Sequence, residues 1–243
     1  ECNTLYHDLK HTIETFLATA RLIDGYNINV GKMPRELAIK LLISALYHDV
    51  GYIQEEWDNE GTGAKYTRVH IQRSIAFLEK HHGKLKISQK EVDVITKLIR
   101  CTGLTSEFNN ITFSSEQEKI AGSILGTADL VGQMSDRTYL EKLLFLYYEF
   151  KEAGIEGYNT EFDIIRKTID FYTITKKNFK SVLLNVYTYA TYHFEKRFHI
   201  KRNLYIEAID RHIGYIKKII SDDTTNFRNK LNRANWVEEY IYS

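Results

Sequence analysis

Four polar residues stand where helical periodicity places apolar ones: His11, His48, Asp49 and Asp129. Imidazole nitrogen and carboxylate oxygen are both good ligands for a divalent metal. A carboxylate carried onto an apolar face is costly unless a cation meets it, and one shared ion would satisfy all four groups together. Two histidines and two carboxylates suit Mn, Fe, Mg, Co, Ni or Zn alike, so the set does not choose the metal. A lone His-Asp dipeptide reads more simply as the frayed end of a helix. Further polar residues directed inward from separate helices favour the metal site.

Helices must position these groups. The stripe Ala38, Leu41, Leu42 and Ala45 continues at helical spacing onto His48 and Asp49. Pro34 suits the first turn of that helix, and Gly51 offers a left-handed residue to end it. A helix is expected over residues 3–24, where Leu5, Leu9, Ile13, Phe16, Leu17, Ala20 and Ile23 recur. It would place His7 and His11, four apart, on one side. Ser88–Glu91 and Ser115–Glu118 have the form of capping boxes. The first starts a helix to Cys101; the second starts one through Gln133, with Ala121, Leu125, Ala128 and Asp129 inward.

Further helices are expected over Tyr66–His81, which carries His70, and over Ser135–Phe150, Thr160–Phe198 and Asn203–Leu231. Gly25–Gly31, Gln54–Lys65 and Thr102–Ser114 read as loops, and Gly154–Thr160 as a turn. One proline and 13 glycines in 243 residues leave long uninterrupted stretches. The fold class is all-α.

Composition narrows the function. The chain is 43% hydrophobic and 27% charged, ordinary for a folded soluble protein. Basic and acidic residues number 33 and 32, a net charge of +1, so the global basic field of DNA-binding proteins is missing. Cys2 and Cys101 lack CxxC spacing, which fits a reducing, cytoplasmic setting without a disulfide framework. No run reaches the length of a membrane span, and no signal peptide is visible. Glu1 is not an initiator residue, so the chain is expected to be part of something longer, and an attached N-terminal domain is left open.

With these residues in place, the sequence resembles the HD superfamily of metal-dependent phosphohydrolases, whose ligand order is His…His-Asp…Asp on a helical core. The matching positions are His11, His48-Asp49 within Tyr47–Tyr52, and Asp129 within Gly126–Leu130. The resemblance covers about residues 4–150. It implies an HD-domain helical core over 1–150, with a C-terminal helical extension over 151–243 packed on it. Tyr6-His7-Asp8-Leu9-Lys10-His11 is similar to the Tyr-His-Asn-x-x-His segment of class I cyclic-nucleotide phosphodiesterases. That likeness implies a metal ligand at His11 and a general acid at His7. Asp8 stands where that family has Asn, and no counterpart of its base-reading glutamine is evident; Gln133 is near Asp129 by helical spacing alone.

His70-Ile71-Gln72-Arg73-Ser74 has the form of a second-metal histidine in binuclear relatives, whereas Cys101-Thr102 occupies the region of a further one. The resemblance therefore implies one metal, with a second, water-rich ion bridged by Asp49 and held by His70 left open. The HD-GYP type is disfavoured because His81-His82-Gly83-Lys84 lacks its signature. Alarmone hydrolases are disfavoured because Gly51-Tyr52 follows Val50.

The implied activity is phosphodiester hydrolysis of a small nucleotide-type substrate. A metal would polarise the phosphoryl oxygen and acidify its water, Asp49 would orient that nucleophile, and His7 would protonate the leaving oxygen. The alternatives are a nucleotide phosphomonoesterase, or a catalytically degenerate HD domain acting as a ligand-binding or sensory module. Lys65, Arg68, Arg73 and Arg100 are candidates for phosphate charge. The aromatic residues after 170, among them Phe171 and Tyr172, read as core, with one or two available to close a pocket on a base. His81, His82, His193, His199 and His212 read as surface or packing residues, and a homodimer is left open.

Overall fold

The computed structural model describes residues 2–103, 108–222 and 227–231. All regular structure among them is helical. The α-helices are α1 (Leu9–Asn29), α2 (Arg35–Tyr47), α3 (His70–His81), α4 (Gln89–Ile99), α5 (Glu116–Ser135), α6 (Tyr139–Glu152), α7 (Glu161–Ser181), α8 (Tyr189–Phe198), α9 (Leu204–Ile220) and the short α10 (Phe227–Leu231). Single 3-10 turns lie at Val50–Tyr52, Ala64–Tyr66, Arg100–Thr102 and Val186–Thr188. Residues 104–107 of the expected polar loop, 223–226 of the expected last helix, and the end of the extension from 232 lie outside the described residues.

Helix α5 is the central element. Ala121, Ile124, Leu125, Ala128, Val131 and Met134 are nearly inaccessible, and a helix apolar on most of its circumference belongs inside a core. Helix α1 packs along α5 and α8, and α2 packs on α1 and α4. One hydrophobic cluster runs from Leu22 and Leu41 through Leu125 to Ile165, Phe179 and Ile213, so residues after 150 share the core of those before it. A smaller cluster joins α3 to α4 through Ile71, Ile75, Leu78, Val92, Ile95 and Ile99.

Four expectations about elements need correction. Helix α1 starts at Leu9, not near residue 3, because Asp8 caps it by accepting from the His11 amide at 2.8 Å. It also runs through Gly25 to Asn29 instead of stopping in a loop. A Cβ on Gly25 would lie 1.8 Å from the Tyr189 carbonyl oxygen, so this glycine serves close approach of α8 to α1. Helix α3 begins at His70, after the 3-10 turn Ala64–Tyr66. The single helix expected over Thr160–Phe198 is two, divided where Leu184 and Asn185 adopt φ of 51° and 61°.

The capping box at Ser88 and Glu91 forms as expected. At the start of α5 only half of one forms. Ser115 accepts from the Glu118 amide, but the Glu118 carboxylate turns to the Ser114 amide at 2.8 Å and to Lys97 at 2.8 Å.

Candidate metal centre

Helix α2 ends at Tyr47, so His48 and Asp49 do not ride on a continuing helix. Asp49 has φ −107° and ψ 7°, and the chain passes directly into the 3-10 turn Val50–Tyr52. This turn is clamped by α3. The Ser74 hydroxyl accepts from the Gly51 amide at 2.9 Å and donates to the His48 carbonyl at 2.7 Å. The Arg73 guanidinium donates to the Gly51 and Ile53 carbonyls. Gly51 has no left-handed φ, contrary to the expectation that it ends the helix. A Cβ there would meet the His70 carbonyl oxygen at 2.0 Å, so its small size lets α3 approach.

The clamped turn, α1 and α5 bring the four polar residues together. His11 Nε2 lies 3.2 Å from Asp49 Oδ2 and 3.1 Å from Asp129 Oδ1. His48 Nε2 lies 3.2 Å from Asp49 Oδ2, 3.6 Å from Asp129 Oδ1 and 3.2 Å from His11 Nε2. Neighbouring ligands about 2.1 Å from one ion sit roughly 3.0–3.4 Å apart in octahedral or tetrahedral shells. His11, His48 and Asp49 thus form a group suited to a metal ion, and Asp129 reaches the same ring nitrogens. Both histidines are buried, while the Asp129 side chain, expected on the buried stripe, is 17% exposed.

Hydrogen bonding prepares the His48 nitrogen. His48 Nδ1 faces the Ala45 carbonyl at 2.9 Å and must donate to it, which leaves a lone pair on Nε2 when the ring is neutral. Asp49 Oδ2 is buried and has no hydrogen-bond partner, although two ring nitrogens lie 3.2 Å away. A neutral lone pair and a carboxylate oxygen at that separation call for a cation between them, and the donor set fits a divalent ion. Without one, protons take that role. Burial pushes the His11 imidazole down, but the close carboxylates of Asp129 and Asp49 outweigh it and lift it to about 9. His48 is raised in the same way, with Asp49 the leading charge. Burial opposes ionisation of Asp49 and Asp129, but the two imidazoles hold both well below the usual carboxylate range.

His70 donates from Nδ1 to the Thr67 carbonyl at 2.7 Å, and its Nε2 is 3.7 Å from Asp49 Oδ1. Asp49 therefore presents one oxygen to His11 and His48 and the other toward His70. Burial pushes the His70 imidazole down, which keeps its Nε2 lone pair free.

His7 precedes α1, yet its ring is 5.9 Å from that of His11. It is held there by Glu149 of α6, which sequence reasoning missed. Glu149 is buried, accepts from the Tyr6 amide at 2.7 Å, and accepts from His7 Nδ1 at 2.7 Å. Lys142, two turns earlier on the same face of α6, donates to both oxygens of Asp8 at 2.9 Å. Tyr52 lies nearly parallel to His7 and His70, with ring centroids 4.5 and 4.8 Å away. The only available signal for Glu149 was a carboxylate inside the apolar run Leu143–Phe150.

A cavity of about 220 Å³ opens beside His7, Tyr52 and His70, and Gln133 lines it. Leu143, Leu146 and Phe150 of α6 wall it, and Lys167, Thr168 and Phe171 enter from α7. Phe171 is thus at the pocket, while Tyr172 is buried in the core. The proposed phosphate-binding cations are engaged elsewhere. Lys65 pairs with Asp58, Arg68 donates to the Gly154 carbonyl, and Arg73 clamps the turn. Arg100 lines a separate groove with Lys97 and Asn110. Of the remaining histidines, His193 pairs with Asp24 at 2.7 Å and His212 is buried against the Met134 carbonyl. Cys101 is a buried core thiol.

Fold and site together define an all-α protein with a group of histidines and carboxylates suited to a metal ion, beside an apolar cavity. The chain belongs to the Npun_R2479-like family, whose profile matches residues 1–56 and 55–205. No curated protein and no solved structure matches the chain.

Proposed function

We propose that this protein is a metal-dependent phosphohydrolase of the HD type, with phosphodiester hydrolysis of a nucleotide-type substrate as its first activity. The observation that carries the reading is the buried, unpartnered Asp49 Oδ2 held 3.2 Å from both the His11 and His48 Nε2 atoms. His11, His48, Asp49 and Asp129 would hold one divalent ion, and His70 with the second oxygen of Asp49 would help hold another. Such an ion supplies positive charge for phosphoryl oxygens and a more acidic water.

The remaining steps belong to the chain. Glu149 fixes the His7 ring through Nδ1, so Nε2 is the atom available to give a proton to the leaving oxygen. The Glu149 carboxylate also faces the charge that ring carries while protonated. Tyr52 sets the ring plane of His7 by stacking. The apolar cavity takes the body of the substrate, with the Gln133 amide among its few polar groups. No helix among the described residues is long and apolar enough to cross a membrane. With both cysteines free, we place the protein in the cytoplasm, acting on a small phosphorylated molecule and not on DNA.

The test is metal content by elemental analysis of protein purified without chelator, then hydrolysis of bis-p-nitrophenyl phosphate and p-nitrophenyl phosphate with Mn, Ni or Mg. Metal with diester turnover, lost in Asp49→Ala, supports the reading. Preference for the monoester moves it to a nucleotide phosphomonoesterase. Metal without turnover leaves a ligand-binding module, and absence of both refutes the metalloenzyme.

A further inference from the structure

We propose that Lys167 is a specificity-determining residue that selects ligands bearing a second anionic group, away from the phosphoryl group. The inference rests on the phosphoester reading and narrows its substrate class. Lys167 is the only Lys, Arg, Asp or Glu among the residues lining the cavity beside His7 and His70. The residue is half-buried, while its ammonium donates to the Gly157 carbonyl at the exposed end and sits 4.4 Å from the centroid of the Tyr158 ring. One carbonyl and one aromatic face leave donor capacity on a group that has three N–H bonds. No carboxylate lines the cavity to neutralise it.

Three other polar groups here are spent on the protein itself. The Thr168 hydroxyl donates to the Ile164 carbonyl, the Thr67 hydroxyl to the Ala64 carbonyl, and His70 Nδ1 to the Thr67 carbonyl. An ammonium beside apolar walls interacts more strongly with an anion than the same group in open water. Helix α7 packs on α6 and α9, so Lys167 enters from a different wall than His7 and His70. Between these walls stand Leu143, Leu146 and Phe150, which suit a flat apolar body. The chemistry recognised is then a phosphoester whose aromatic or similarly flat body ends in a carboxylate or a second phosphate.

The experiment is calorimetric binding of phosphonates, which cannot turn over, to the metal-loaded full chain. Phenylphosphonate is compared with 4-carboxyphenylphosphonate and with the longer 4′-carboxybiphenyl-4-ylphosphonate, the latter against biphenyl-4-ylphosphonate. The wild type is expected to prefer one of the carboxylates by about tenfold over its counterpart without the carboxylate, as a charge-assisted hydrogen bond allows. In Lys167→Met the ratio of the two dissociation constants falls to near one, and in Lys167→Arg it persists, which separates recognition from loss of the tie to Gly157. A wild type without preference at either length overturns the inference while leaving the hydrolase intact. So does a Met variant that weakens both members of a pair equally, since Lys167 would then hold the phosphoryl group itself. A wild type that takes up neither metal nor phosphonate overturns the phosphoester reading and this inference with it.

Discussion

Glu149→Gln tests the link between the N-terminal segment and α6. The carboxylate accepts from the Tyr6 amide and from His7 Nδ1, both at 2.7 Å, in a buried setting. A glutamine keeps the shape and one acceptor, which the Tyr6 amide retains. Its NH2 group then faces the His7 N–H, two donors in contact. The ring must release that proton or turn away, so one charge-assisted hydrogen bond is lost. Such bonds contribute about 1.5–3 kcal/mol, and in a chain of this size that lowers the melting temperature by roughly 3–12 °C. If His7 gives the proton to the leaving oxygen, the same loss lowers kcat by about 10–100-fold, with KM nearly unchanged. Calorimetry and steady-state kinetics on the metal-loaded protein measure the two effects. A variant that melts with the wild type would refute the hydrogen-bond argument. One that melts lower at unchanged kcat would leave Glu149 a purely structural residue.

Asp49→Ala should reduce metal affinity by more than the roughly 10–100-fold typical of changing an outer partner of a ligand, read as ions retained per chain after dialysis. Ser74→Ala removes the hydroxyl that bridges Gly51 and His48; equilibrium unfolding should show a loss of about 1–3 kcal/mol, because two buried backbone groups lose their partner. The metal-free chain should lose stability as pH rises from about 6.5 toward 9. The His11 imidazole is raised from its ordinary value to about 9 in the folded state, so its contribution is complete below the unfolded pKa and disappears through the folded one. The depressed Asp49 and Asp129 contribute above the ordinary carboxylate range and are lost in acid. Added metal should remove the alkaline loss and release protons on binding, which calorimetry in buffers of different ionisation enthalpy detects; an unchanged melting point from pH 6.5 to 9 in the metal-free chain would contradict the assignment.

The helical class and the approach of His11 and Asp129 to one another were legible because each sits at a fixed offset from an apolar stripe on its own helix, and helical spacing converts that offset into a direction. The form of the His48-Asp49 turn was not. It depends on Ser74, Arg73 and the bare Cα of Gly51, which meet only when α3 packs down. Glu149 was hidden for a related reason: its two partners lie more than 140 positions away, and no local period reports such a contact. The break after α7 was hidden because Leu184 and Asn185 supply the positive φ, with no glycine or proline to mark it. Gly25 misled in the opposite sense, since a glycine placed for close packing looks in sequence like one placed for a loop.

The shared core has a consequence for biosynthesis. The donor groups come from residues 11, 48, 49 and 129, the ring of His7 is fixed by residue 149, and α7 supplies one wall of the cavity. As the chain leaves the ribosome, His11, His48 and Asp49 emerge before α5 and wait for it. An ion captured before then would lack the Asp129 carboxylate, and the last wall arrives only after residue 171. Full coordination of an ion would therefore await α5, and nascent fragments ending before it would hold metal less tightly than the folded chain.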